Sequence, residues 1–573
     1  MTKPNFKIFL IFSFCIFSAL TGAGNSKNHV SSLVYLPDTI TIQYGKDRIE
    51  MAETSYQYDI QSQKSRSTYS DGKIADLKIE LIAEVSYIRT NKVVKYEIEI
   101  SSAGKLTKDL GVSFPVKALG NFDHILMPLK NGTICERDKL SGLKIASYRC
   151  AGIPEKYSND LAIPVIITII GEKGTAIYTD PYFTSLFETG TIKWSYPKKV
   201  GLEDQIEKRT IIQVEGIDNL DSGMDFFYQT ILKEVPQGPD WAKEIALISY
   251  DYMSDKCRGW YNDIDSLTRI TTPDDRHKIA LCLHGWYDIV GRYCFDEKTG
   301  KLDKKWNNRI TKMDLSLEDL HDRISYAKKR GYRVLMYFAD GVLSSKGLPD
   351  FRQEDVLEEG GWNGPDVIGG PYHRNIASKR HADFYRDYAM ALFTEFGYDI
   401  DGFVWDETFY IQAGNLGTDK FPGYIDRIQM RLIKELAAML HTFGPDKAFF
   451  TSDCIGPDWS KDVPPYALVS DGTYQDSHSN PHFWSYGIFP NYRNTLWSCN
   501  WDPIKFFAYT VFGVYAYNTP VVFTNGWGDD KGFSEMTQKE KSDFMQLFDY
   551  RKQFRTKMKA LHALPLYYGP EEK

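Results

Sequence analysis

The sequence predicts an α/β chain: a (β/α)8 barrel preceded by an N-terminal β-sandwich. Three observations point there. Residues 30–220 carry short runs of alternating apolar residues between turn signals. From residue 241 onward, strand-like apolar runs alternate with amphipathic helical segments. The stretch from 241 to 565 is the length of a barrel with insertions.

The chain opens with a targeting pattern. Lys3 and Lys7 precede an apolar run from Ile8 to Leu20, followed by Thr21-Gly22-Ala23-Gly24. A short basic region, an apolar stretch and small residues predict a signal peptide over residues 1–23, cleaved near Ala23. The apolar run is shorter than the roughly 20 residues that span a bilayer. The expectation is an exported protein, secreted or periplasmic, with no membrane span.

In the sandwich, LKIELIAEVSYI within Asp76–Thr90 and KVVKYEIEI within Lys92–Ser101 alternate almost strictly. Ala162–Ile170 and Thr175–Thr179 add strands, with Gly171-Glu172-Lys173-Gly174 and Asn131-Gly132 as turns. A helical linker over 221–240 includes MDFFYQTILKEV and ends at Pro236-Gln237-Gly238-Pro239.

Eight barrel strands are predicted: Glu244–Tyr252, Lys278–Trp286, Tyr332–Asp340, Asp401–Glu407, Lys447–Asp453, Tyr466–Gly472, Thr495–Cys499 and Thr519–Trp527. Helical segments such as LSLEDLHDRISYAKKRG, HADFYRDYAMALFTEFG and IDRIQMRLIKELAAMLHTFG separate them. A last helix falls near Glu535–Lys557.

Composition narrows the function. Of 573 residues, 69 are Lys or Arg and 76 Asp or Glu, a net charge of −7 that argues against a nucleic-acid surface. Aromatic residues make up 14%, which suits a large core or a cleft where rings stack on sugars. Without Cys15 of the leader, seven cysteines remain, an odd number and no disulfide framework. Cys135 with Cys150, and Cys257 with Cys294, are possible pairs in an oxidising compartment. No C-x-x-C or EF-hand-like loop occurs, and strand two offers His284 without a His-x-His, so neither metal nor cofactor is expected. There is no G-x-S-x-G, P-loop or dinucleotide fingerprint.

Barrel active sites lie at the C-terminal ends of the strands. Applied here, that rule selects Asp251, His284-Gly285-Trp286, Asp340, Trp405-Asp406-Glu407, Asp453, Asp471 and Asn525-Gly526-Trp527. A single Asp in such a place is often a helix cap. Acids and tryptophans at most strand ends instead suit glycosidic bond cleavage, which needs one carboxyl group at the anomeric carbon and another at the leaving oxygen. Asp406 and Asp471 are the catalytic candidates. Asp251, Trp286, Asp340, Arg374, Trp405, Glu407, Asp453 and Trp527 are candidate carbohydrate-binding residues. Trp362, Trp497 and Trp501 are further stacking candidates.

The stretch YDIDGFVWDETF, with Trp405-Asp406, and the later Ser470-Asp471 resemble the nucleophile and acid/base motifs of the α-galactosidase-like clan of retaining α-glycosidases. The resemblance implies a sandwich before a (β/α)8 barrel, Asp406 as nucleophile and Asp471 as acid/base. That clan often has a Lys two residues before the nucleophile, where this chain has Val404. Two other readings stay open: a glycosidase using Glu407, and a barrel that binds glycans without cleaving them.

Overall fold

The computed structural model describes most of residues 35–561. Residues 1–34, 148–160, 227–237, 253–258, 345–350, 360–371, 407–415, 455–468, 477–491, 496–520, 525–532 and 562–573, with several shorter segments, lie outside the described residues. The expected signal peptide, most of the linker, Glu407, Trp362, Trp497, Trp501 and Trp527 fall there.

The N-terminal part is one antiparallel sheet of fourteen described strands between Thr39 and Ile217. Its longest hairpin joins Leu77–Ile88 to Asn91–Ser102, in register from Leu77 opposite Ser102 to Ile88 opposite Asn91. The alternation seen in the sequence is met in burial: Leu77, Ile79, Leu81 and Ala83 are buried while Lys78 is exposed. Val165–Ile170 turns into Lys173–Thr179 through Gly171 and Glu172. Gly171 has φ +57°, the left-handed region that tight hairpin turns require. Strands from both halves of the sheet order, among them Ile166 and Ile211 on one side and Val112 and Trp194 on the other, close on a single core.

Eight parallel strands follow: β1 (Leu247–Tyr252), β2 (Ile279–His284), β3 (Arg333–Asp340), β4 (Gly402–Asp406), β5 (Ala448–Cys454), β6 (Gly472–Asp476), β7 (Tyr492–Thr495) and β8 (Val521–Thr524). They pair in chain order from β1 to β7, and β8 pairs with β1. This is the strand order of a (β/α)8 barrel, with every C-terminal strand end on one face. Helices α1 (Gly259–Ile270), α2 (Leu317–Lys328), α3 (Lys379–Phe396), α4 (Ile425–His441) and α5 (Gln538–Leu561) belong to this part.

Two apolar layers follow from strand alternation. Inside the barrel, Ile248, Ala280, Cys282, Leu335, Val404, Ala448 and Phe450 pack together. Their neighbours Leu247, Leu281, Leu283, Phe403, Trp405 and Phe449 face outward and join residues of the helices in a larger core. A short helix, Asp240–Glu244, brings Trp241 and Ala242 against the inner layer, and its indole N–H donates to the Asp446 carbonyl (2.8 Å). The barrel meets the sandwich at α4. Arg427 pairs with Glu207 (3.2 Å), and Phe183 packs edge-on against Tyr424.

Strand six differs from its expected position. The apolar residues of Tyr466–Gly472 suggested a strand ending near Asp471, but β6 begins at Gly472. The strand itself, GTYQD, is mostly polar and gives little periodic signal.

Candidate active site

The strand β4, GFVWD, is buried at every position. Gly402 is needed at its start, because a Cβ there would lie 2.5 Å from the Ala448 carbonyl oxygen of β5. Phe403 and Trp405 point to the helices, while Val404 belongs to the inner layer. The two-residue period then aims Asp406, the last residue, into the barrel at the C-terminal face. Asp406 is 4% exposed.

Two strands converge on it. β2 ends at His284, whose Nε2 lies 4.0 Å from Asp406 Oδ2. Burial holds the imidazole pKa down to about 3, so the ring is neutral at ordinary pH. From β3, the Tyr337 ring lies edge-on to His284 with centroids 3.9 Å apart. Below sits Cys282, whose thiol pKa is pushed up, first by burial and then by the charge of Asp406. β3 also carries a bulge. Tyr337 pairs with Val404 and Ala339 with Trp405, so the extra residue sets Asp340 rather than Ala339 level with Asp406.

The other sequence candidates separate into three groups. Asp251, Asp340 and Asp453 are the last or next-to-last residues of β1, β3 and β5, at the same end of the barrel as Asp406. Trp286 and Trp405 are completely buried and are packing residues, not sugar platforms. Trp286 donates to the Tyr337 carbonyl (3.0 Å), and Trp405 stacks on Tyr385 of α3 at 5.0 Å. Arg374 is buried too, with its guanidinium 4.1 Å over the Phe384 ring. It belongs to a small sheet of Leu343–Ser344, Tyr372–Arg374 and Val356–Glu359 inserted between β3 and α3.

Asp471 is a correction. It precedes β6, so it lies at the N-terminal face, opposite Asp406. Its backbone N–H donates to the Phe449 carbonyl (3.0 Å). Its Oδ2 accepts from the Phe449 N–H (2.8 Å) and meets His441 Nε2 at 2.8 Å. Gly238, at φ +61°, packs so closely that a Cβ would come within 2.1 Å of the Asp471 carbonyl oxygen. These contacts fasten strand starts together and leave Asp471 no route to a substrate at the other face. The Cys257–Cys294 pair is also corrected: Cys294 is a buried free thiol, its backbone N–H bonded to Asp288 Oδ1 (2.7 Å).

With β6 relocated, the residue at its C-terminal end is Asp476, which the sequence reading passed over. It pairs in register with Cys454 of β5. The sequence marks β6 only by the small residues Ser470 and Gly472 at its start, with no apolar stripe to place its end.

No protein-family model matches the chain, and no curated protein does. Solved structures do. A GH36 α-galactosidase from Geobacillus stearothermophilus aligns with a TM-score of 0.56 at 12% identity, over 91% of this chain and 76% of that one. The α-galactosidase of Lactobacillus brevis gives 0.53 at 12% identity, over 91% and 74%. An α-N-acetylgalactosaminidase from Bifidobacterium bifidum, solved with GalNAc, gives 0.50 at 9% identity, over 90% and 87%. The chain thus has the α-galactosidase-like fold that its motifs resemble.

Proposed function

We propose that this chain is an exported glycoside hydrolase that cleaves α-linked sugars with retention, using Asp406 as nucleophile and Asp476 as acid/base. The observation that carries the reading is the placement of Asp406: a buried acid closing β4 at the C-terminal face of a barrel shared with α-galactosidases. The position of Asp476 supports the second role. β6 begins at Gly472, level with the inward-facing Phe450, and a period of two puts position 476 on the same face as 472. In variants of the Geobacillus enzyme that hold stachyose and raffinose, the replaced aspartates stand 70 positions apart. Asp406 and Asp476 have the same separation of 70.

The chemistry follows from two carboxyl groups. A carboxylate oxygen of Asp406 bonds to the anomeric carbon as the glycosidic C–O bond breaks. The leaving oxygen takes the proton of Asp476. Water then attacks the anomeric carbon, loses a proton to Asp476, and frees the Asp406 carboxylate. Export is inferred from the residue 1–23 pattern.

The test is turnover of a panel of 4-nitrophenyl α-glycosides, including the galactoside and the N-acetylgalactosaminide. Asp406→Asn and Asp476→Asn should each remove activity that the wild type shows. Full activity in either variant overturns that assignment. Loss with Glu407→Gln alone, Asp406→Asn being tolerated, would move the nucleophile by one residue. Glycan binding without turnover in the wild type would leave a lectin-like barrel.

A further inference from the structure

We propose that His284 is a positioning residue for Asp406, a neutral hydrogen-bond donor that orients the carboxylate while leaving its charge intact. This rests on the reading of Asp406 as nucleophile.

The geometry comes first. His284 closes β2 and Asp406 closes β4, and β3 separates them by one strand. Both side chains are buried, and the nitrogen nearest Asp406 Oδ2 is Nε2, at 4.0 Å. Tyr337 on β3 fixes the ring from the side at 3.9 Å, and Tyr287, just after β2, lies edge-on at 6.3 Å. Cys282 is on the same face of β2, one step below His284. At backbone level Tyr252 of β1 pairs with His284, and Asp340 of β3 pairs with Asp406. An imidazole here is therefore clamped by rings, with few ways to turn.

The chemistry follows from that confinement. A cation in contact with the nucleophile would hold its electron pair and slow attack. A neutral imidazole supplies one N–H, enough to fix which oxygen faces the sugar. Burial makes the protonated ring costly, which keeps the donor neutral across the pH range in which a carboxylate nucleophile works. The 4.0 Å separation exceeds a hydrogen bond. Catalytic hydrogen bonds are often long without substrate and tighten when it binds. A ring held on one side by Tyr337 needs to move only about 1 Å to make this one.

The experiment uses the full chain and the 4-nitrophenyl α-glycoside that the wild type cleaves best. His284→Leu should lower kcat about 100-fold with little change in KM, the penalty for misplacing a reacting group. Without the donor the carboxylate is harder to ionise, so the acid limb of the kcat–pH profile should move to higher pH. His284→Gln, which keeps an N–H at similar reach, should restore most of kcat and return the limb toward its original place. If kcat and the acid limb are unchanged in His284→Leu while Asp406→Ala is inactive, the positioning role is overturned and the nucleophile stands. If the leucine variant does not fold, His284→Asn replaces it, since its amide is drawn back from Asp406; an unmoved acid limb there also overturns the proposal. A wild type that cleaves no glycoside removes the nucleophile reading and the positioning role together.

Discussion

The two ends of the barrel set the same residue type, a buried aspartate, in different surroundings. At the N-terminal face, Asp401 just before β4 is buried with three fixed partners: Lys328 Nζ (2.6 Å), Arg333 Nη1 (2.8 Å) and the Val334 N–H (2.8 Å). Asp471 likewise holds a backbone N–H and a histidine. Five residues beyond Asp401, at the C-terminal face, Asp406 lies beside a neutral imidazole 4.0 Å away. Acids tied to cations and N–H groups fasten strands. Asp406, read as the nucleophile proposed above, is instead set beside a buried, neutral imidazole. Both acids are buried, so burial alone does not distinguish them.

Substitutions should separate the two ends. The largest expected effect is on turnover: Asp406→Asn should lower kcat at least about 1000-fold, read in steady-state assays, with little change in melting temperature. Asp401→Ala should do the reverse, costing about 3 kcal/mol in denaturant unfolding by stranding Lys328 and Arg333, with activity retained below the melting point. Gly238→Ala should cost about 2–3 kcal/mol by the same measurement, because its φ is positive and its Cβ would strike the Asp471 carbonyl. Equal kinetic losses in the Asp406 and Asp401 variants would erase the distinction.

The two ends should also respond to pH with opposite sign. His284 at the mouth is kept neutral by burial down to about 3. The unfolded chain takes up that proton near pH 6.5, so stability falls as pH drops from about 6.5 toward 3, by on the order of a few kcal/mol. His381, lowered to about 2 by burial and by Arg374 and Arg380, acts in the same direction. His441 at the base is raised above its usual value by its hydrogen bond to Asp471. Its contribution is complete below about pH 6.5 and is lost as pH rises through the folded value. Because this histidine is half-exposed, the effect should be about 0.5 kcal/mol at most. Unfolding of His284→Gln and His441→Gln across pH 4–9 would test both signs. The first should flatten the acid loss, and the second should remove a small loss on the alkaline side.

Much of this fold was legible because it is written in periodicity. The alternation of Leu77–Ile88 and the apolar starts of β1 to β5 mark strands by pattern alone. β6 was misplaced because GTYQD has no apolar stripe, whereas Ala467-Leu468-Val469 before it does. That slip decided the second catalytic candidate, since an acid reads as functional or structural by which end of a strand it occupies. The tryptophans misled for another reason. Trp286 and Trp405 lie beside mouth residues in sequence, but alternation turns Trp405 outward onto Tyr385, and Trp286 packs against Trp306. Position along a chain says which residues are neighbours, and only register says which way they face.

The small sheet inserted between β3 and α3 bears on how such a barrel can change. It leaves the barrel after Asp340 and is pinned at its return by Arg374 over Phe384. The entropy of closing an excursion grows only with the logarithm of its length, so each doubling costs about 0.6 kcal/mol. Lengthening this insertion would scarcely strain the parallel strands, provided Arg374 keeps its ring. A rim built this way can be rewritten by insertion and deletion, altering what reaches the mouth, while the carboxylate on β4 stays where it is.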